Sequence, residues 1–90
     1  MKLLVVEDEK DLNDIITKRL KQSNYNVDAC WDGRDALDYI FTYEYDVILL
    51  DIMLPGNVNG YDLIKEVREY NPLTPVIFTS ARDQDIDRVL

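Results

Sequence analysis

Two runs in this chain of 90 residues, Leu3-Leu4-Val5-Val6 and Val47-Ile48-Leu49-Leu50, are apolar at every position. A strand with one face in water alternates apolar and polar residues, so an unbroken apolar run marks a strand buried on both faces. Such a strand needs a covering layer on each side, and the intervening segments have the pattern to supply it. From Asp8 to about Gln22, Leu12, Ile15, Ile16 and Leu20 recur at helical spacing. Asp8 and Asp11 stand where N-terminal capping and the helix dipole favour acids. After a turn at Asp32-Gly33, Ala36, Leu37, Ile40 and Phe41 form a second inward stripe, and Leu63, Ile64 and Val67 form a third between about Tyr61 and Tyr70. Ser23-Asn24 breaks the first helix, and 25–30 then alternates as a strand. Asn71-Pro72 ends the third helix, and Pro75 introduces a last strand, Val76-Ile77-Phe78-Thr79. Strand–helix alternation with short connections predicts an α/β fold, a doubly wound parallel sheet with helices on both faces.

The length allows one domain. A formal net charge of −8 disfavours direct binding to nucleic acid or to anionic membranes, both of which call for clustered Lys and Arg. Cys30 is the only cysteine, which excludes an intramolecular disulfide, and its apolar neighbours predict a buried structural thiol. The chain has no His, so His-based metal sites and triads are excluded. The N-terminus turns acidic at Glu7, too soon for a signal peptide, and no apolar run is long enough to span a bilayer, so a cytoplasmic location is expected. Tyr39, Tyr43 and Tyr45 are expected to cover the rim of the core. Trp31 carries no functional reading.

The chemistry lies where the strands end. Asp51 closes one apolar run and Glu7-Asp8 closes the other. In open parallel sheets, ligands bind beyond the carboxyl ends of the strands. Converging carboxylates repel one another and require a divalent cation or a loss of ionisation. Glu7, Asp8 and Asp51 are therefore candidate ligands for Mg²⁺ or Mn²⁺, with the backbone carbonyl of Met53 as a neutral oxygen. A carboxylate beside such an ion can attack phosphorus and form an acyl phosphate. Thr79 and Ser80, at the end of the last strand, offer a hydroxyl and a backbone N–H to the transferred group. A phosphatase with an Asp nucleophile would want a second acid two residues after Asp51, where Met53 stands. No Gly-rich phosphate loop is present.

Leu4-Val5-Val6-Glu7-Asp8-Glu9, Asp51-Ile52-Met53-Leu54-Pro55-Gly56, Gly60-Tyr61-Asp62 and Val76-Ile77-Phe78-Thr79-Ser80-Ala81 together resemble the receiver domain of two-component response regulators. The resemblance covers essentially the whole chain. It implies the flavodoxin-like strand order 2-1-3-4, with the fifth strand and last helix missing, so that 1–90 is a partial receiver domain without an output domain. It implies that Asp51 accepts a phosphoryl group from a sensor histidine kinase, that Asp8 binds Mg²⁺ directly and Glu7 through water, and that Thr79 is the switch hydroxyl. Met53 occupies a position that, in the family it resembles, tunes the lifetime of the phosphorylated state. The domain is then a signalling switch rather than an enzyme, and it meets DNA only through an output domain that regulates transcription. Two departures from the family pattern stand out. The Lys and the aromatic residue of a fifth strand are missing, from which phosphorylation of Asp51 by acetyl phosphate is expected to be slow or absent. The loop 55–60 is also one residue longer than usual. A chain ending after the fourth strand is further expected to self-associate through that strand's edge or a swapped tail. The alternative reading is a degenerate interaction module that keeps the fold without phosphotransfer.

Overall fold

The computed structural model describes residues 1–54, 56, 58–70 and 72–79. Along them run β1 (Lys2–Val6), α1 (Lys10–Gln22), β2 (Asn26–Cys30), α2 (Gly33–Thr42), β3 (Val47–Asp51), α3 (Gly60–Tyr70) and β4 (Val76–Thr79). The strands pair in parallel in the order β2-β1-β3-β4, the order expected. β1 and β3, the two fully apolar runs, lie in the middle. Their register sets Val5 beside Leu49 and Val6 beside Leu50, and β4 continues it with Phe78 beside Leu50.

Because strand side chains alternate between faces, the apolar runs feed two cores at once. Leu4, Val6, Ile48 and Leu50 join Ala36 and Ile40 of α2 and Leu63 and Val67 of α3 on one face. Leu3, Val5 and Val27 lie on the other, with Ile16 and Leu20 of α1 against them. Two helices seal the first face, where Leu4, Leu50, Ala36 and Val67 reach 0% exposure. On the second face Val47 and Leu49 are only half-buried.

Two apolar positions depart from the expected stripes. Ile15 is 58% exposed and Phe41 52%. On α1 the buried side centres on Asn13, which is 1% exposed, with Leu12, Ile16, Thr17 and Leu20 partly buried around it. Ile15 therefore falls on the helix flank. Phe41 reaches round the edge of α2 to meet Tyr70 at 4.9 Å between ring centroids, edge to face. Of the three tyrosines, Tyr39 packs against the core as expected, whereas Tyr43 is 46% exposed. Tyr45 is buried and its hydroxyl donates to Asp28 Oδ2 at 2.6 Å, while Lys2 Nζ lies 4.1 Å from the centre of the Tyr43 ring. Cys30 is buried and its thiol is pushed up to about 12, by burial first and then by Asp35, Asp32 and Asp28. That is the inert structural thiol expected.

The helix starts explain how the loops are held. Asp32 caps α2, its Oδ1 accepting from the Asp35 N–H at 2.8 Å. Asn59 and Asp62 cap α3 reciprocally, each side chain accepting the other's backbone N–H, at 3.0 and 3.2 Å. At α1 the N-cap residue is Glu9, whose side chain makes no capping bond. Between β3 and α3, Gly56 takes a φ of 90°. The same connection packs against α2, since a Cβ on Gly33 would overlap the Val58 carbonyl oxygen and come within 2.8 Å of the Val58 Cβ. Gly33→Ala should therefore displace Val58 and lower stability by about 1–3 kcal/mol, the usual cost of overpacking. A urea titration that gave an unchanged midpoint would refute this account of the loop.

Candidate functional site

β1 and β3 are neighbours and end at the same level, so the residues that close them meet. One carboxylate oxygen from each of Glu7, Asp8 and Asp51 lies within 4.8 Å of the other two. Glu7 and Asp51 are each 2% exposed, and Asp8 is half-buried. Thr79 is the register partner of Asp51 across the β3–β4 pair, so the strand order brings the candidate hydroxyl residue alongside the candidate acceptor. Met53 contributes its backbone N–H, which donates to Asp51 Oδ1 at 2.9 Å, and its side chain is 59% exposed. Ser80 lies outside the described residues.

The backbone around Asp51 is tightly confined. Leu54 is buried in the core beneath the loop. At the start of α3 the Gly60 N–H donates to the Ile52 carbonyl at 3.4 Å. A Cβ on Gly60 would stand 2.9 Å from the Asp51 carbonyl oxygen and 2.8 Å from the Ile52 Cα. Only glycine allows α3 to begin so close to the Asp51 backbone.

Glu7 shows what the site lacks for charge balance. Its Oε2 accepts from the Glu9 N–H at 2.9 Å, while Oε1 is buried with no hydrogen-bond partner. Burial pushes the Glu7 carboxyl from 4.5 up to about 7; the Glu9 N–H opposes this, and Asp51 and Asp8 add to the rise. A buried, unpartnered carboxylate oxygen beside two more carboxylates is an all-oxygen donor set suited to a hard divalent cation. Glu7, Asp8 and Asp51 thus fit Mg²⁺.

Sequence reasoning missed Asn13. Its Nδ2 donates to the carbonyls of Glu7 and Cys30, both at 3.0 Å, and its Oδ1 accepts from the Thr17 hydroxyl at 3.2 Å. The signal was an amide between Leu12 and Ile16 on the inward side of an amphipathic helix.

The response regulator receiver domain family matches residues 3–90. The chain belongs to that family. Among curated relatives, the transcriptional regulatory protein DltR of Streptococcus agalactiae is 48% identical over 89 residues, covering 99% of this chain and 39% of its own length. This receiver chain therefore spans well under half of the curated relatives it matches. Among solved structures, the Francisella response regulator 1452 receiver domain aligns with a TM-score of 0.82 at 35% identity, over 98% of this chain and 72% of that one. Response regulator TrrA of Thermotoga maritima, solved in complex with Mg²⁺-BeF, aligns with a TM-score of 0.83 at 29% identity, over 91% of this chain and 70% of that one. These matches agree with the flavodoxin-like receiver fold of the described sheet.

The raised Glu7 carboxyl fixes a pH dependence for the metal-free receiver. A native state that holds its proton up to about 7 binds more protons than the unfolded chain between 4.5 and 7. Stability from this group is therefore undiminished below 4.5 and falls as pH rises through 7. Glu7→Gln should abolish that component, so the stability difference between variant and parent should widen from pH 4.5 to pH 7. Urea unfolding of the two proteins across this range, without divalent ions, checks it, and a constant difference would refute it.

Proposed function

We propose that this chain is the phosphoacceptor module of a response regulator and that Asp51 accepts the phosphoryl group. The observation that carries the reading is the Glu7-Asp8-Asp51 cluster with its buried, unpartnered Glu7 oxygen. Asp8 and Asp51 would hold Mg²⁺ through carboxylate oxygens, with Glu7 acting through water and the Met53 carbonyl as a neutral donor. Bound there, the ion would offset the carboxylate charge and polarise the phosphoryl oxygens. The Met53 N–H on Asp51 Oδ1 orients the nucleophile. An Asp51 oxygen forms a bond to phosphorus as the N–P bond of a phosphohistidine breaks, and the imidazole departs with the electron pair and takes a proton from water. Thr79, paired in register with Asp51, supplies the hydroxyl that turns toward the new phosphoryl group. Modification then shifts an equilibrium between two states of the domain.

The natural donor in this reading is a sensor histidine kinase in the cytoplasm, and the domain is a switch rather than an independent enzyme. Likeness to a transcriptional regulatory protein supports an output through DNA binding carried by a separate domain. Among the described residues β4 pairs on one side only, with β3, and Ile77 is 46% exposed. This supports self-association through that edge, which a light-scattering concentration series would test; a monomer at all concentrations would refute it.

Two measurements test the site. At Mg²⁺ ten times its Kd, linkage adds about 1.4 kcal/mol, a rise in Tm of about 6–11 °C for a domain of this size. Asp51→Asn should reduce that rise, and an equal rise in the variant would sink the shared site. Acetyl phosphate with Mg²⁺ should add one phosphoryl group by intact mass, and Asp51→Ala should abolish it. A parent that binds Mg²⁺ yet never accepts phosphate would favour an interaction module instead.

A further inference from the structure

We propose that Asn13 is a positioning residue of the acidic pocket, fixing through its amide the peptide that joins Glu7 to Asp8. The assignment rests on the Mg²⁺-dependent reading of the site. The β1–β2 ladder ends with Val6 opposite Cys30, and one further bond, from the Glu7 N–H to the Cys30 carbonyl at 3.1 Å, extends it. Beyond that the chain turns away toward α1, which begins at Lys10, and the strands can offer no further rung. The Asn13 amide supplies one. Its Nδ2 donates to the Glu7 carbonyl and to the Cys30 carbonyl, 3.0 Å each, and so ties the ends of β1 and β2 to the first turns of α1.

The consequence for the pocket comes from peptide planarity. Fixing the Glu7 carbonyl fixes the whole plane from the Glu7 Cα to the Asp8 Cα. Those two Cα atoms carry two of the three carboxylates that cluster within 4.8 Å. The next peptide, hinged to this plane at the Asp8 Cα, carries the Glu9 N–H that donates to Glu7 Oε2 at 2.9 Å. Asn13 is itself held, with Oδ1 accepting from Thr17 one helical turn on, so the NH₂ group is directed and not free to rotate. At 1% exposure it has no water to satisfy it in place of these carbonyls. Asn13 is not among the three carboxylate residues that would hold the ion. It acts through the backbone of the residues that would.

A merely structural Asn13 would lower stability and leave the metal site of the folded fraction intact, so the test must separate the two. Asn13→Leu keeps the bulk and removes both donors. Val27→Ala, in the opposite core with Leu3 and Val5, is a control that destabilises without touching the pocket. Mg²⁺ titration by calorimetry should show a Kd at least about tenfold weaker in Asn13→Leu, the usual effect of losing a residue that orients ligands. In Val27→Ala it should be unchanged. In metal-free protein, hydrogen exchange at the Glu9 amide should accelerate in Asn13→Leu and not in the control. Where Asn13→Leu does not fold, Asn13→Ser, with one donor on a shorter arm, decides by the same measurements. A folded variant in which either quantity stays within about twofold of the parent overturns the assignment. A parent that binds no Mg²⁺ overturns the metal reading and this assignment with it, whereas a parent that binds beside an unaffected variant overturns this assignment alone.

Discussion

Leu4, Val6, Ile48 and Leu50 stand on adjacent strands, pointing to the same face of the sheet, and each is at most 3% exposed. Burial of a side chain of this kind contributes about 1.5–3 kcal/mol, and the four together hold β1 against β3 in one register. That pairing is what brings Glu7 and Asp8 up to Asp51. A rise in the Glu7 carboxyl from 4.5 to about 7 corresponds to a few kcal/mol of unfavourable ionisation. The apolar pairing is worth more than this, so the acids stay together. The central strands supply the stability, and their ends carry the strain on which binding of a cation can act.

The loop that leaves Asp51 is held by close backbone approach more than by side chains. Gly33 lets α2 lie against Val58, and Gly60 lets α3 start against Asp51 and Ile52. Asp51 thus sits between a buried strand on one side and a helix start pressed against its own carbonyl on the other. In the proposed role of phosphoryl acceptor, a carboxylate confined in this way would lose little freedom on reaction. Met53, by contrast, gives its N–H to Asp51 while its side chain stands in solvent, where a change of residue type alters access to the pocket without disturbing the core.

The two faces of the sheet are built differently. One is sealed by α2 and α3 with several residues at zero exposure, whereas the described part of the other is covered by α1, with Val47 and Leu49 half-buried. α1 does more than cover apolar surface. Its buried centre is the amide of Asn13, which takes the place of a missing rung at the end of the sheet. Buried polar groups are costly unless they are paired, and here the pairing lies next to the acidic pocket.

Much of this was legible in the residues. Continuous apolar runs against helical stripes define the strands, the helices and the parallel sheet, because periodicity is a local property of the chain. Acids at the ends of two such runs pointed to Glu7, Asp8 and Asp51, since a parallel sheet places equivalent strand ends at one edge. The strand order 2-1-3-4 came from family resemblance, because periodicity does not say which strands are neighbours. Tertiary structure decided the rest. The stripe on α1 reads Leu12, Ile15, Ile16, Leu20 by hydropathy alone, yet the buried line runs through Asn13, whose amide donates to the carbonyls of Glu7 and Cys30 at the ends of β1 and β2. The unpartnered Glu7 oxygen, the Gly33 and Gly60 approaches and the edge contact of Phe41 on Tyr70 each join residues far apart in sequence. Only the folded chain brings such pairs within reach, and so only the fold could specify them.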